Sequence, residues 1–175
     1  GVCTFHLTND PARQLRSLVL PGIDAPEDAD CFIETERDLL LRQGISTWTP
    51  LVDGNVVLER VITTYKVTNL GVADTAYLDI MVPKTLTRIR YDWANYATLM
   101  YPRHKLAPDD SPAANNNDVV VTPKRMAGTW AARCKLYERQ AWIVDVARTL
   151  ELSRFELDES NKNRMNAQQR INIIG

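Results

Sequence analysis

The sequence predicts an α+β fold, a small mixed sheet with a β-hairpin packed by helices, and three observations carry that expectation. Two β-rich runs, 45–52 and 55–65, meet at Asp53-Gly54, a two-residue turn suited to positive φ. Two apolar stripes recur at helical spacing: Leu86, Ile89, Trp93, Tyr96, Ala97 and Met100, then Met126, Trp130, Cys134, Tyr137 and Ala141. The order helix, hairpin, helix, loop, helix, strand, strand points to a layered α+β architecture with no internal repeat.

Residues 1–30 read as a connecting segment and 31–175 as the domain. The segment has one apolar stretch, 15–20, and is punctuated by Pro11, Pro21, Gly22 and Pro26. A first helix is signalled by Thr35 with Asp38 three residues on, followed by Leu39, Leu40 and Leu41, with Gly44 as a stop. In the second β run, Leu58, Arg60, Ile62 and Thr64 share one face and Val57, Glu59, Val61 and Thr63 the other. Apolar residues on both faces predict a strand covered on both sides or near an edge.

Pro83 suits the first turn of a helix, or a bend in one beginning near Tyr77, and Tyr101-Pro102 ends it. Residues 107–118 are polar enough for a solvated loop. Thr122-Pro123 opens a further helix with a cap and an N1 proline. Arg133 lies at the edge of its apolar face, so the guanidinium must snorkel or find an acidic partner. A β-prone run at 149–157, a polar turn at 158–163 and a short strand at 171–174 complete the chain.

Composition narrows the function classes. A 175-residue chain with 45% hydrophobic and 25% charged residues can bury a real core beneath an ordinary surface. It contains no apolar run of the ~20 residues a membrane helix needs, so no membrane insertion is expected. The first residues lack the pattern of a signal peptide. Cys3, Cys31 and Cys134 form neither a CxxC pair nor a zinc spacing, and read as buried or idle thiols in a reducing cytoplasm.

Catalytic chemistry finds no foothold. Of the two histidines, His104 sits among positive charge, and His6 is followed by Asn9 and Asp10 but by no nucleophile motif. P-loop, GxGxxG and GxSxG patterns are absent. Asp24, Glu27, Asp28, Asp30, Glu34, Glu36 and Asp38 lack calcium-loop spacing and read as a solvated acidic face. No enzyme activity, metal or cofactor is expected.

Basic residues gather elsewhere: Lys84, Arg88 and Arg90, then Arg103 and Lys105, then Lys124, Arg125, Lys135 and Arg139. Separate acidic and basic segments suit docking on copies of the chain or on a complementary protein, and Lys84, Arg88, Lys124 and Arg125 are the candidate interface residues. A non-enzymatic binding module, for nucleic acid among other ligands, is the alternative reading. Against it, the net charge is −1 and the aromatics fall on apolar stripes, so direct nucleic-acid contact is not expected.

An ordered series of segments is more specific than any of these features. Asp10-Pro11-Ala12-Arg13-Gln14-Leu15 leads to Leu20-Pro21-Gly22-Ile23, and Leu58-Glu59-Arg60-Val61-Ile62-Thr63-Thr64-Tyr65 follows. Then come Asp74-Thr75-Ala76-Tyr77-Leu78-Asp79, Arg88-Ile89-Arg90-Tyr91-Asp92 and Tyr101-Pro102-Arg103-His104-Lys105-Leu106-Ala107. Val121-Thr122-Pro123-Lys124 and Asn163-Arg164-Met165-Asn166 complete the series.

From about Asp10 to its end, the chain resembles the C-terminal part of Mu-like bacteriophage contractile tail sheath proteins. The resemblance implies a structural subunit, many copies of which surround the tail tube as a helical polymer and contract to drive it through the host envelope. The implied partners are other sheath subunits and the tail tube protein. The implied location is the virion tail, assembled in the host bacterial cytoplasm. Family chains are far longer, and they continue past the position of Gly175 into a strand that augments a neighbour's sheet. The chain is therefore expected to be a fragment of a longer one.

Overall fold

The computed structural model describes residues 1–174 and divides into two compact units, 1–85 and 86–174. The first unit opens with helix α1 (Val2–Asn9) and strand β1 (Val19–Asp24). A short 3-10 turn, Asp28–Asp30, precedes helix α2 (Glu34–Arg42). Strands β2 (Thr47–Pro50) and β3 (Asn55–Arg60) then join β1 in an antiparallel sheet of order β1-β3-β2. Its core is Leu7, Leu15 and Met81, packed by Cys3, Leu18, Leu58, Val61 and Ile80.

Residues 1–30 thus supply a helix and a strand. The strand is hard to see in the sequence because Pro21 lacks an N–H and Gly22 sits at φ +76°, and pairing with β3 shifts register between Val19 and Asp24. The expected hairpin is present with a different turn. Gly54 N–H donates to the Leu51 carbonyl at 3.0 Å, and Leu51 N–H to that of Asn55 at 2.8 Å. The loop is therefore three residues, Val52-Asp53-Gly54, closed by a left-handed glycine at φ +83°.

Neighbouring Val56 and Val57 are both buried, as a central strand covered on both faces requires. β3 stops at Arg60, short of the expected residue 65. Beyond it Ser46 Oγ accepts the Ile62 N–H at 3.0 Å, and Ile62 bridges to Asp79. α2 begins one residue before Thr35, because Glu36 Oε2 reaches back 3.0 Å to the Ile33 amide and takes the capping role.

The division between units falls within helix α3 (Met81–Met100), with Pro83 in its first turn. In the second unit, strands β4 (Lys105–Leu106) and β5 (Val120–Val121) pair in parallel. They flank an exposed polar stretch that holds the short helix α4 (Pro112–Asn116). Helix α5 (Pro123–Arg139) starts as predicted: Thr122 Oγ1 accepts the Arg125 N–H at 3.2 Å, and Pro123 takes the N1 position. The two stripes supply an aromatic core. Trp130 packs edge-on to Trp93 with centroids 5.0 Å apart, and Tyr137 stacks on Trp142 at 5.8 Å. Both stripes end one residue early: Met100 is exposed, and Ala141 lies beyond α5 at φ +55°.

The C-terminal region differs most from expectation. Thr149–Glu151 are helical, in α6 (Val146–Glu151), because Asp145 Oδ1 caps the Arg148 N–H at 2.8 Å. β6 (Arg154–Leu157) pairs antiparallel with β7 (Met165–Gln168), and residues 171–174 make a bridge, Ile143 to Ile173, rather than a strand. The polar turn between β6 and β7 is tied by Asp158, which accepts the amides of Ser160 and Asn161. The Ser160 hydroxyl and the Asn166 amide lead, with those backbone bonds, in holding its carboxyl down at about 2. The strands fall in three small sheets within an α+β fold.

Candidate protein-interface surface

The four candidate cations do not form one cluster. Lys84 belongs to the first unit and the other three to the second. Lys84 is exposed and has no ion pair among the described residues. Arg88 is exposed, and its guanidinium lies 6.0 Å from the Trp142 ring centroid, within cation–π range. It also faces Asp92, whose carboxylate feels its charge.

Arg125 is engaged within the fold. Its Nη1 donates to the backbone carbonyls of Asp118 and Val120 at 3.1 and 2.9 Å, fastening the polar stretch to the first turn of α5. It is therefore an anchor for that stretch before it is a contact for any partner. Lys124 keeps its ammonium in solvent while its amide donates to Asp109 Oδ1 at 2.9 Å. Sequence reading could not separate these two neighbours, because the distinction lies in carbonyls brought near by the parallel β4–β5 pair.

The structure adds two cations on the same helix. Lys135 and Arg139 are exposed and share the solvent side of α5 with Lys124. None of the three side chains makes an ion pair or hydrogen bond among the described residues. Arg133, by contrast, takes the second of the two courses open to it, an acidic partner: it donates to both oxygens of Asp92, at 2.7 and 2.6 Å. Tyr137 donates to the same carboxylate at 2.5 Å, and the Arg133 guanidinium lies 4.7 Å from the Tyr96 ring centroid.

Burial works against the Asp92 carboxylate, yet the bonds from Arg133 and Tyr137 outweigh it and hold its pKa below the usual carboxylate range. The bond to Asp92 raises the Arg133 pKa, whereas burial leads in raising that of the Tyr137 phenol. This cluster ties α3 to α5 inside the second unit.

The acidic face is also resolved. Asp24, Glu27, Asp28, Asp30 and Glu34 are exposed without ion pairs among the described residues. Asp38 pairs with Arg42 at 2.9 Å. No group of three or more metal-ligating side chains gathers among the described residues, and none of their helices is long and apolar enough to cross a membrane.

No protein-family profile matches the chain. It is 30% identical over 174 residues to a Haemophilus influenzae protein named Mu-like prophage FluMu tail sheath protein. That match covers 99% of this chain and 35% of the relative, so the chain spans about a third of the length of the protein it matches.

Proposed function

We propose that this chain, a homologue of a Mu-like prophage tail sheath protein, is part of a structural subunit that polymerises around a phage tail tube and contracts to drive it through the host envelope. The observation that carries the reading is a 30% identity sustained over 99% of the chain, in keeping with the ordered series of sheath-like segments. The geometry agrees in kind. Arg133 and Tyr137, whose pKa values are both raised, are spent on bonds to Asp92 inside the fold.

On this reading the partners are other sheath subunits and the tail tube protein, in a virion tail assembled in the host bacterial cytoplasm. Residues 31–175 would carry most of the sheath C-terminal domain. Lys84, Arg88, Lys124 and Arg125 are the cations proposed to meet acidic groups on those partners. Electron microscopy of the native full-length polypeptide, alone and with its tube protein, tests the reading. Helical tubes of sheath diameter are expected, and a monodisperse, non-polymerising product that ignores the tube overturns it.

A further inference from the structure

We propose that the exposed face of α5 docks on the acidic segment Asp24–Glu34 of a second copy of this chain, so that copies join head to tail. The proposal rests on the sheath reading for the expectation of a polymer, and adds the two surfaces that meet.

The first surface is a helix face whose cations have no partner among the described residues. Lys124, Gly128, Ala132, Lys135 and Arg139 are exposed and fall within about a quarter of the helix circumference at 3.6 residues per turn. The cations on it are unspent, as described above. Gly128 sits in the helix interior, where glycine costs about 1 kcal/mol relative to alanine. A Cβ there would meet nothing within 4 Å, so the fold of this chain has no need of the small residue. Together Gly128 and Ala132 leave a shallow trough between cations, where another backbone can approach closely. Leu136, 41% exposed, borders it with apolar surface.

The second surface is matched in charge and in kind. Five carboxylates between Asp24 and Glu34 are exposed and unpaired among the described residues. Beside them stand Ile23, Phe32 and Ile33, exposed by 51%, 48% and 63%. Phe32 and Ile33 are the type of side chain that anchors an interface, ringed by the charges that orient it.

Charge is also segregated along the chain. Residues 1–85 hold twelve acidic and seven basic side chains, whereas 86–174 hold ten and fourteen. Two α5 faces would repel each other, which disfavours a two-fold pairing of like surfaces. Unlike surfaces joined head to tail give a heterologous contact, the kind that propagates into the polymer the sheath reading expects.

The test uses two charge-reversed forms of the native full-length polypeptide. One carries Lys124→Glu, Lys135→Glu and Arg139→Glu; the other carries Asp28→Lys, Asp30→Lys and Glu34→Lys. Each alone places like charges across the contact and is expected to lower pelletable polymer about tenfold or more, with an unchanged circular dichroism spectrum. Mixing the two re-creates opposite charges at every junction and is expected to restore polymer. Wild-type polymer indifferent to both reversals overturns the proposal and leaves the sheath reading standing. Rescue by all six changes in one chain, without rescue by the mixture, places the contact within a chain and also overturns it. Loss of tube binding with intact self-association assigns the α5 face to the tube protein instead. Absence of any wild-type polymer overturns both readings.

Discussion

Arg133 on α5 binds both carboxylate oxygens of Asp92 on α3, at 2.7 and 2.6 Å, with each side chain about a quarter exposed. The pairing is bidentate and charge-assisted, and the hydroxyl of Tyr137 supplies a third bond to the same carboxylate. Removing one partner strands the other in a half-buried site. Arg133→Met or Asp92→Ala is therefore expected to cost about 2 kcal/mol, below the range for fully buried pairs. A double-mutant cycle by urea denaturation checks it, and strictly additive losses would sink the idea.

The same pair sets a pH dependence. Asp92 has its folded pKa depressed, so its contribution is fully present above the unfolded carboxylate value of about 4. It is lost as pH falls through the lower folded value. Acid titration of stability should show a loss below about pH 4 that Asp92→Asn makes shallower. An identical acid slope in the variant would exclude this group as its source.

Ala141 is predicted to be a site where glycine stabilises. α5 ends in paired bonds, Trp142 N–H to the Tyr137 carbonyl and Ala141 N–H to that of Glu138, both at 2.9 Å. Tyr137 and Trp142 stack across that end, supplying the apolar contact of a Schellman cap. The residue at its left-handed position is Ala141, at φ +55°. Ala141→Gly relieves the Cβ strain and is expected to gain about 0.5–1 kcal/mol, seen as a raised midpoint of thermal unfolding.

Much of the fold could be read where one local signal decides. Thr122-Pro123 marked the start of α5, and the edge position of Arg133 allowed either snorkelling or an acidic partner, of which the fold supplies the partner in Asp92. The stripe containing Trp130, Cys134 and Tyr137 is the buried side of its helix. Failures arose where a cap or a distant strand overrules residue preference. Thr149 and Leu150 look β-prone, yet the Asp145 cap holds them in a helix. Val19–Asp24 contains proline and glycine, yet β3 offers it a ladder. The candidate surface was legible as charge alone. Only the fold shows that Arg125 is tied to two carbonyls while Lys135 and Arg139 are not.

Cys134 should be the unreactive thiol. It has no solvent exposure, and burial pushes its pKa up to about 12, so little thiolate exists at neutral pH. Cys3 and Cys31 are only partly covered. With a thiol reagent at pH 8, two cysteines are expected to react in the native protein and the third only on unfolding. Native-state labelling of Cys134 at the rate of the other two would contradict its placement.

Gly44 and Gly54 make a paired prediction, because both have left-handed φ, +80° and +83°, and differ in what surrounds them. At Gly54, the turn of the β2–β3 hairpin, an added Cβ meets nothing within 4 Å. Gly54→Ala therefore carries backbone strain alone, about 1 kcal/mol. At Gly44, just past α2, the Cβ would lie 3.2 Å from the Thr64 Cα and 3.5 Å from the Thr63 carbonyl oxygen. Those are backbone atoms held by the bond from Thr63 N–H to Leu78, so the neighbour cannot swing aside as a side-chain tip would. Gly44→Ala is therefore expected to cost about 2 kcal/mol, the same strain plus a displaced loop. Chemical denaturation of the two variants side by side decides it. Equal losses would show that the 63–64 backbone yields, and a larger loss at Gly54 would mean the hairpin turn is the more constrained of the two.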